Sequence, residues 1–173
     1  MGSGNDITEK FNKIQESLAR VPEEYVEIIR SDYMDRSMYE LFDIFNTNVN
    51  QFFDLAHSIA EKYGVSHEFR FMGYKSLMEN TIMKMGKRIP IDQFSTIILE
   101  FVNEVYNEDE NFFLNYEIEE EKIENNEHIS IFEINRIKEL YGKIENEDKE
   151  MIMEKIKTLT IYAHAYFLLL SEQ

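Results

Sequence analysis

The chain has no cysteine and no tryptophan, and among 173 residues only two prolines and six glycines. Without cysteine there is no disulfide framework, no thiol nucleophile and no thiolate metal site. So few prolines and glycines exclude a linker-rich, disordered or fibrous chain. Long apolar runs are missing too. A stretch such as Phe167 to Leu170 falls far short of the ~20 residues that cross a bilayer. Positive charge is scarce, with 18 Lys and Arg against 34 Asp and Glu, a net charge of −16. That balance argues against direct nucleic-acid binding and against an anionic membrane as partner. Neither a basic, apolar leader nor a 20–50-residue repeat is visible, and Met1 to Gly4 reads as an expression scar. Residues 5–173 are expected to form a single soluble, cytoplasmic domain.

What is present is helical periodicity, and the expected fold is an all-α bundle of six or seven helices. Asp6 with Glu9 forms a capping box before the stripe Ile7, Phe11, Ile14 and Leu18. Pro22 suits the first turn of a short helix to about Arg30. Ser37 with Glu40 opens the longest helix, about 37 to 63, which Gly64 ends. Its stripe is Met38, Leu41, Phe45, Phe52, Leu55 and Ile59, with Asn48 between the two phenylalanines as a register-setting or edge residue. A fourth helix should run from Ser66 to Met85, and a fifth should follow Pro90. Ser130 with Glu133 opens a sixth, and Asn146 the last. In that last helix Ile152, Ile156, Leu159, Ala163, Tyr166 and Leu170 recur at spacings of four and three, and the other faces are apolar too. A helix apolar all round belongs at the centre of a bundle, or else in a homodimer interface. Residues 112–132 are ambiguous. Phe112, Leu114, Tyr116 and Ile118 alternate as in a small β-hairpin turning at Asn125-Asn126, whereas the Glu-rich run favours helix or irregular structure.

Charge is concentrated in one segment. Residues 100–133 carry 12 acids and a single base, Lys122. Glu100, Glu104 and Glu108 are four apart, which on a helix stacks them on one face. Glu117, Glu120, Glu121 and Glu124 would share a helical face as well. Like charges at this spacing cost a helix a few tenths of a kcal/mol per pair, with no nearby base to relieve them. A solvated face that keeps the chain soluble is one reading. The sharper one is a docking surface for a basic protein, with salt-sensitive, electrostatically steered association. Its concrete forms are an inhibitor or immunity-type protein that occludes a basic, nucleic-acid-binding partner, and a DNA mimic whose carboxylates stand in for phosphates.

A different pattern points to chemistry. Glu23-Glu24-Tyr25-Val26-Glu27 followed by Glu40-Leu41-Phe42-Asp43 fits EExxE…ExxD. It resembles the magnesium site of the all-α, MazG-like NTP pyrophosphohydrolases. The resemblance implies that Glu23, Glu24, Glu27, Glu40 and Asp43 hold Mg²⁺ against a nucleotide's phosphates, with Lys84, Lys87 and Arg88 as phosphate-binding bases. Acids are so frequent here that a second EExxE occurs at Glu120 to Glu124. The balance leans away from an enzyme and from a bound cofactor.

The remaining motifs carry less. Asp54 and His57 are three apart but lack the accompanying Glu-x-x-His or His-x-x-x-His of a helical metal site. His164 is expected as a hydrogen-bonded core histidine. Asn107 to Asn111 begins like a calcium loop, yet Phe112 and Ile118 replace its obligatory Gly and Glu. Met72, Met78, Met83 and Met85 on one helix fit core filling better than an adaptable binding groove.

Overall fold

The computed structural model describes residues 3–115 and 134–172, with side chains over 8–112 and 135–172. Among the described residues every regular element is a helix: α1 Ser3–Ala19, α2 Glu23–Tyr33, α3 Met38–Lys62, α4 Ser66–Phe69, α5 Phe71–Met85, α6 Ile89–Ile98, a 3₁₀ turn Leu99–Phe101, α7 Val102–Tyr106, α8 Glu110–Asn115, α9 Ile134–Tyr141 and α10 Asn146–Ser171. The chain is an all-α bundle. There are more segments than the periodicity suggests because two of the expected helices are broken and α8 is added.

Local chemistry sets most boundaries. The Ser37 hydroxyl accepts the backbone N–H of Glu40 at 3.2 Å and caps α3. Gly64 and Gly86 stop α3 and α5 at φ of 73° and 109°, which costs a glycine nothing. Helix α1 begins at Ser3, so Asp6 lies inside it and is not its cap. The Ser130–Glu133 box lies outside the described residues. So does most of the candidate hairpin, although its first residues, Phe112 to Asn115, are helical in α8.

Two breaks have a packing cause. Phe69 and Phe71 are both buried and stacked, with ring centroids 5.8 Å apart and planes 7° from parallel. In one continuous helix residues i and i+2 point to nearly opposite sides. Arg70, at φ 49°, breaks the expected helix so that both rings turn inward. The 3₁₀ turn at 99–101 tightens the next helix where α1 packs on it.

One hydrophobic core runs from Ile14 to Tyr166. Helix α10 lies at its centre, packed on α2, α3, α6 and α7. Ile152, Ile156, Leu159, Ala163 and Tyr166 are buried, while Ile161, Tyr162 and Phe167 to Leu170 are half-buried. The helix therefore finds its cover within the chain. Its N-terminal turn is latched to the end of α3. Asp148 Oδ2 accepts from Lys62 Nζ at 2.9 Å and from Tyr63 OH at 2.7 Å, and the Tyr63 hydroxyl accepts the N–H of Glu145 at 2.9 Å. These bonds hold the Asp148 carboxyl below its ordinary range.

Candidate acidic docking surface

The acidic residues leave the core at the end of α7. Glu100 sits in the 3₁₀ turn, 3.8 Å from Lys13 Nζ. Glu104, in α7, is half-buried and its Oε2 has no hydrogen-bond partner among the described residues. Glu108 is exposed and left-handed, at φ 53°. The three carboxylates therefore do not form the expected ladder on one helical face, because the tightened turn and the left-handed residue separate them. Nor are the acids without neighbouring bases. Lys13 lies beside Glu100, and Lys149 Nζ is 2.9 Å from Glu110.

Beyond Glu108 the chain turns again. Asp109 Oδ1 accepts the Phe112 N–H at 3.1 Å, and Glu110 occupies the first turn of α8, where helix polarity favours a carboxylate. Helix α8 packs on α9. Next to this pair lies a cleft of about 310 Å³ lined by Glu108, Glu110, Tyr141, Asn146, Lys149, Glu150 and Met153. Its apolar floor is Met153 and the Tyr141 ring, both nearly buried. The Lys149 ammonium sits 5.3 Å from the centre of that ring. Burial, and then the charges of Glu110 and Glu108, push the Tyr141 hydroxyl above its ordinary value. Glu108 and Glu150 make no ion pair among the described residues. Glu117, Glu120, Glu121 and Glu124 lie outside the described residues, but the helices flanking them in sequence, α8 and α9, are in contact.

The second candidate set is not brought together. Glu23, Glu24 and Glu27 are exposed on α2, which packs on α10, and Glu40 and Asp43 are exposed on α3. Asp43 pairs with Lys87 at 2.9 Å, and Arg88 bonds to Tyr166 OH at 2.8 Å and lies 3.3 Å from Asp92. Lys87 thus pairs with one of the five candidate acids, and Arg88 with a carboxylate outside the set. Among the described residues no three His, Asp or Glu side chains are placed to hold a metal ion. Asp54 pairs with Lys75 at 2.8 Å and His57 with Glu61 at 2.9 Å, so they do not converge.

His164 is a core histidine, 1 % exposed, with Nδ1 3.0 Å from the Tyr106 hydroxyl. Burial first, and the Arg30 charge second, lower its pKa to about 4. Asn48 bonds back to the Ile44 carbonyl at 2.8 Å, the local bond of a half-buried edge residue. It is Asn46 that is buried, donating to the Lys87 carbonyl at 3.0 Å. Of the four methionines, Met78 alone is core; Met72, Met83 and Met85 are exposed.

The cleft residues Tyr141, Lys149, Glu150 and Met153 escaped the sequence reading. Lys149 and Glu110 are 39 residues apart, and no local spacing announces their pairing.

No protein-family model and no solved structure matches the chain. A curated protein of Acanthamoeba polyphaga mimivirus, "Uncharacterized protein R465", is 32 % identical over 164 residues, which is 95 % of this chain and 91 % of that protein.

Proposed function

We propose that this chain, which belongs to the family of the mimivirus protein R465, is an acidic binding protein that docks on a basic, nucleic-acid-binding protein and occludes it in the manner of an inhibitor or immunity protein. The observation that carries the reading is the distribution of charge. Twelve acids and one base fall within residues 100–133, and the described end of that segment lies beside a cleft in which Glu108 and Glu150 make no ion pair among the described residues. An inhibitor patch asks only for dense negative potential. A DNA mimic asks for regularly spaced carboxylates, which the separation of Glu100, Glu104 and Glu108 does not provide.

The test begins with capture of the partner at low and high salt. Its association rate is then measured against the wild type and a variant with Glu117, Glu120, Glu121 and Glu124 changed to Gln. Electrostatic steering raises association by orders of magnitude, so the variant should bind at least about tenfold more slowly at low salt, with unchanged circular dichroism. Equal rates and no salt dependence refute the reading.

A further inference from the structure

We infer that α1 is a strap that opens as a unit from an otherwise closed bundle, turning at residues 20–22 and uncovering the outer side of the 3₁₀ turn and α7. This motion needs no docking partner. Among the side chains described for α1, from Thr8 to Ala19, only Ile14 and Ser17 are buried, with Lys10 and Leu18 half-buried. One of the two buried groups is polar. The Ser17 Oγ has no hydrogen-bond partner among the described residues, so it leaves water without recovering a bond. Helix α10, by contrast, buries ten residues. Burial of an apolar face is the main force that holds a helix to its bundle, and α1 buries little of one. Phe11 leans on Phe167, with ring centroids 5.5 Å apart, but stays 45 % exposed. Asn103 Nδ2 donates to the Ser17 carbonyl at 2.8 Å. Lys13 stands 3.8 Å from Glu100 with more than half of its side chain in water, where an ion pair contributes little. The place of the hinge is built in as well. Pro22 is extended, at φ −54° and ψ 137°, so α1 does not run on into α2. Val21 is buried beside it, which pins the chain and sets where opening stops. A weakly buried terminal helix with a fixed boundary is the kind of element that opens below the global unfolding free energy.

The chain has no cysteine, so a single introduced thiol reports its own exposure. Ser17→Cys and Ser95→Cys each replace a buried hydroxyl, without a hydrogen-bond partner among the described residues, by a thiol of nearly the same shape. Ser95 lies in α6, inside the bundle. With an aromatic disulfide reagent in excess, the Ser17→Cys thiol should react at least about tenfold faster than the Ser95→Cys thiol. Its rate should climb only shallowly with urea, because the opening exposes little surface, whereas the Ser95→Cys thiol should show the steep dependence of global unfolding. Equal rates with the same steep dependence overturn the inference. Hydrogen exchange of the unaltered chain reads the same motion without a substitution. The amides of Lys13 to Ala19 should exchange together, at least about tenfold faster than those in the middle of α10, and protection should return within α2. Protection of α1 equal to that of α10 overturns the inference. So does fast exchange that continues through α2, which would make the two helices one unit.

Discussion

Lowering the pH should unload stability through one buried ring. His164 titrates at about 4 in the folded chain and near 6.5 when exposed. As pH falls, the unfolded chain takes up this proton first. Stability is therefore whole above pH 6.5 and is lost as pH drops from 6.5 towards 4, below which this site removes no more. At about 1.36 kcal/mol per pH unit the full loss is about 3 kcal/mol, of which about 2 kcal/mol falls between pH 7.5 and 5. That is a large part of the ~5–15 kcal/mol that holds a domain together. Urea unfolding followed by circular dichroism at the two pH values measures it. Carboxylates contribute to any acid loss, so the comparison is with His164→Gln, which keeps a polar group beside Tyr106 but cannot gain the charge. Its loss over the same interval should be smaller by about 2 kcal/mol. Equal losses in the two proteins, or a His164 ring signal that titrates near 6.5 in the folded state, would refute the argument.

Other consequences are as direct. Leu159→Ala, at 1 % exposure in the middle of α10, should cost about 2–5 kcal/mol by urea unfolding, and a cost below 1 kcal/mol would contradict its central place. Ser37→Ala should cost about 1 kcal/mol, while Ser37→Asp should restore it; equal loss in both would show that the cap is not what stabilises α3. Asp148→Asn weakens the acceptor shared by Lys62 and Tyr63, so Tm should fall and amide exchange quicken at the end of α3; an unchanged Tm would mean the latch contributes nothing. Because the Asp148 carboxyl lies below its ordinary range, its support is present above about pH 4 and is lost as pH falls through the lowered value.

Features written in neighbouring residues were readable from the chain. The Ser37 cap, the Gly64 stop and the apolar stripe of α10 each depend on a few adjacent positions, and the structure has them where the sequence puts them. Features that depend on distant partners were not. Arg70 breaks a helix because two phenylalanines both need the core, a demand visible only once their common neighbours are assembled. Asn46 is buried because a carbonyl 41 residues away meets it. At the candidate surface, charge density was plain in the sequence. The arrangement was not, since Lys13 reaches Glu100 and Lys149 reaches Glu110 only through the fold.

The helix at the centre of the bundle is also the last described element to leave the ribosome. Helix α3 is complete at Lys62, but its main packing partner is finished only at Ser171. At ~5–20 residues per second that interval lasts roughly 5–20 s. Throughout it Phe42 has no Tyr166 ring to pack against. The nascent chain thus leaves the α10-facing side of α3 open until α10 is made, and a chaperone should bind that side before α10 packs on it and not after.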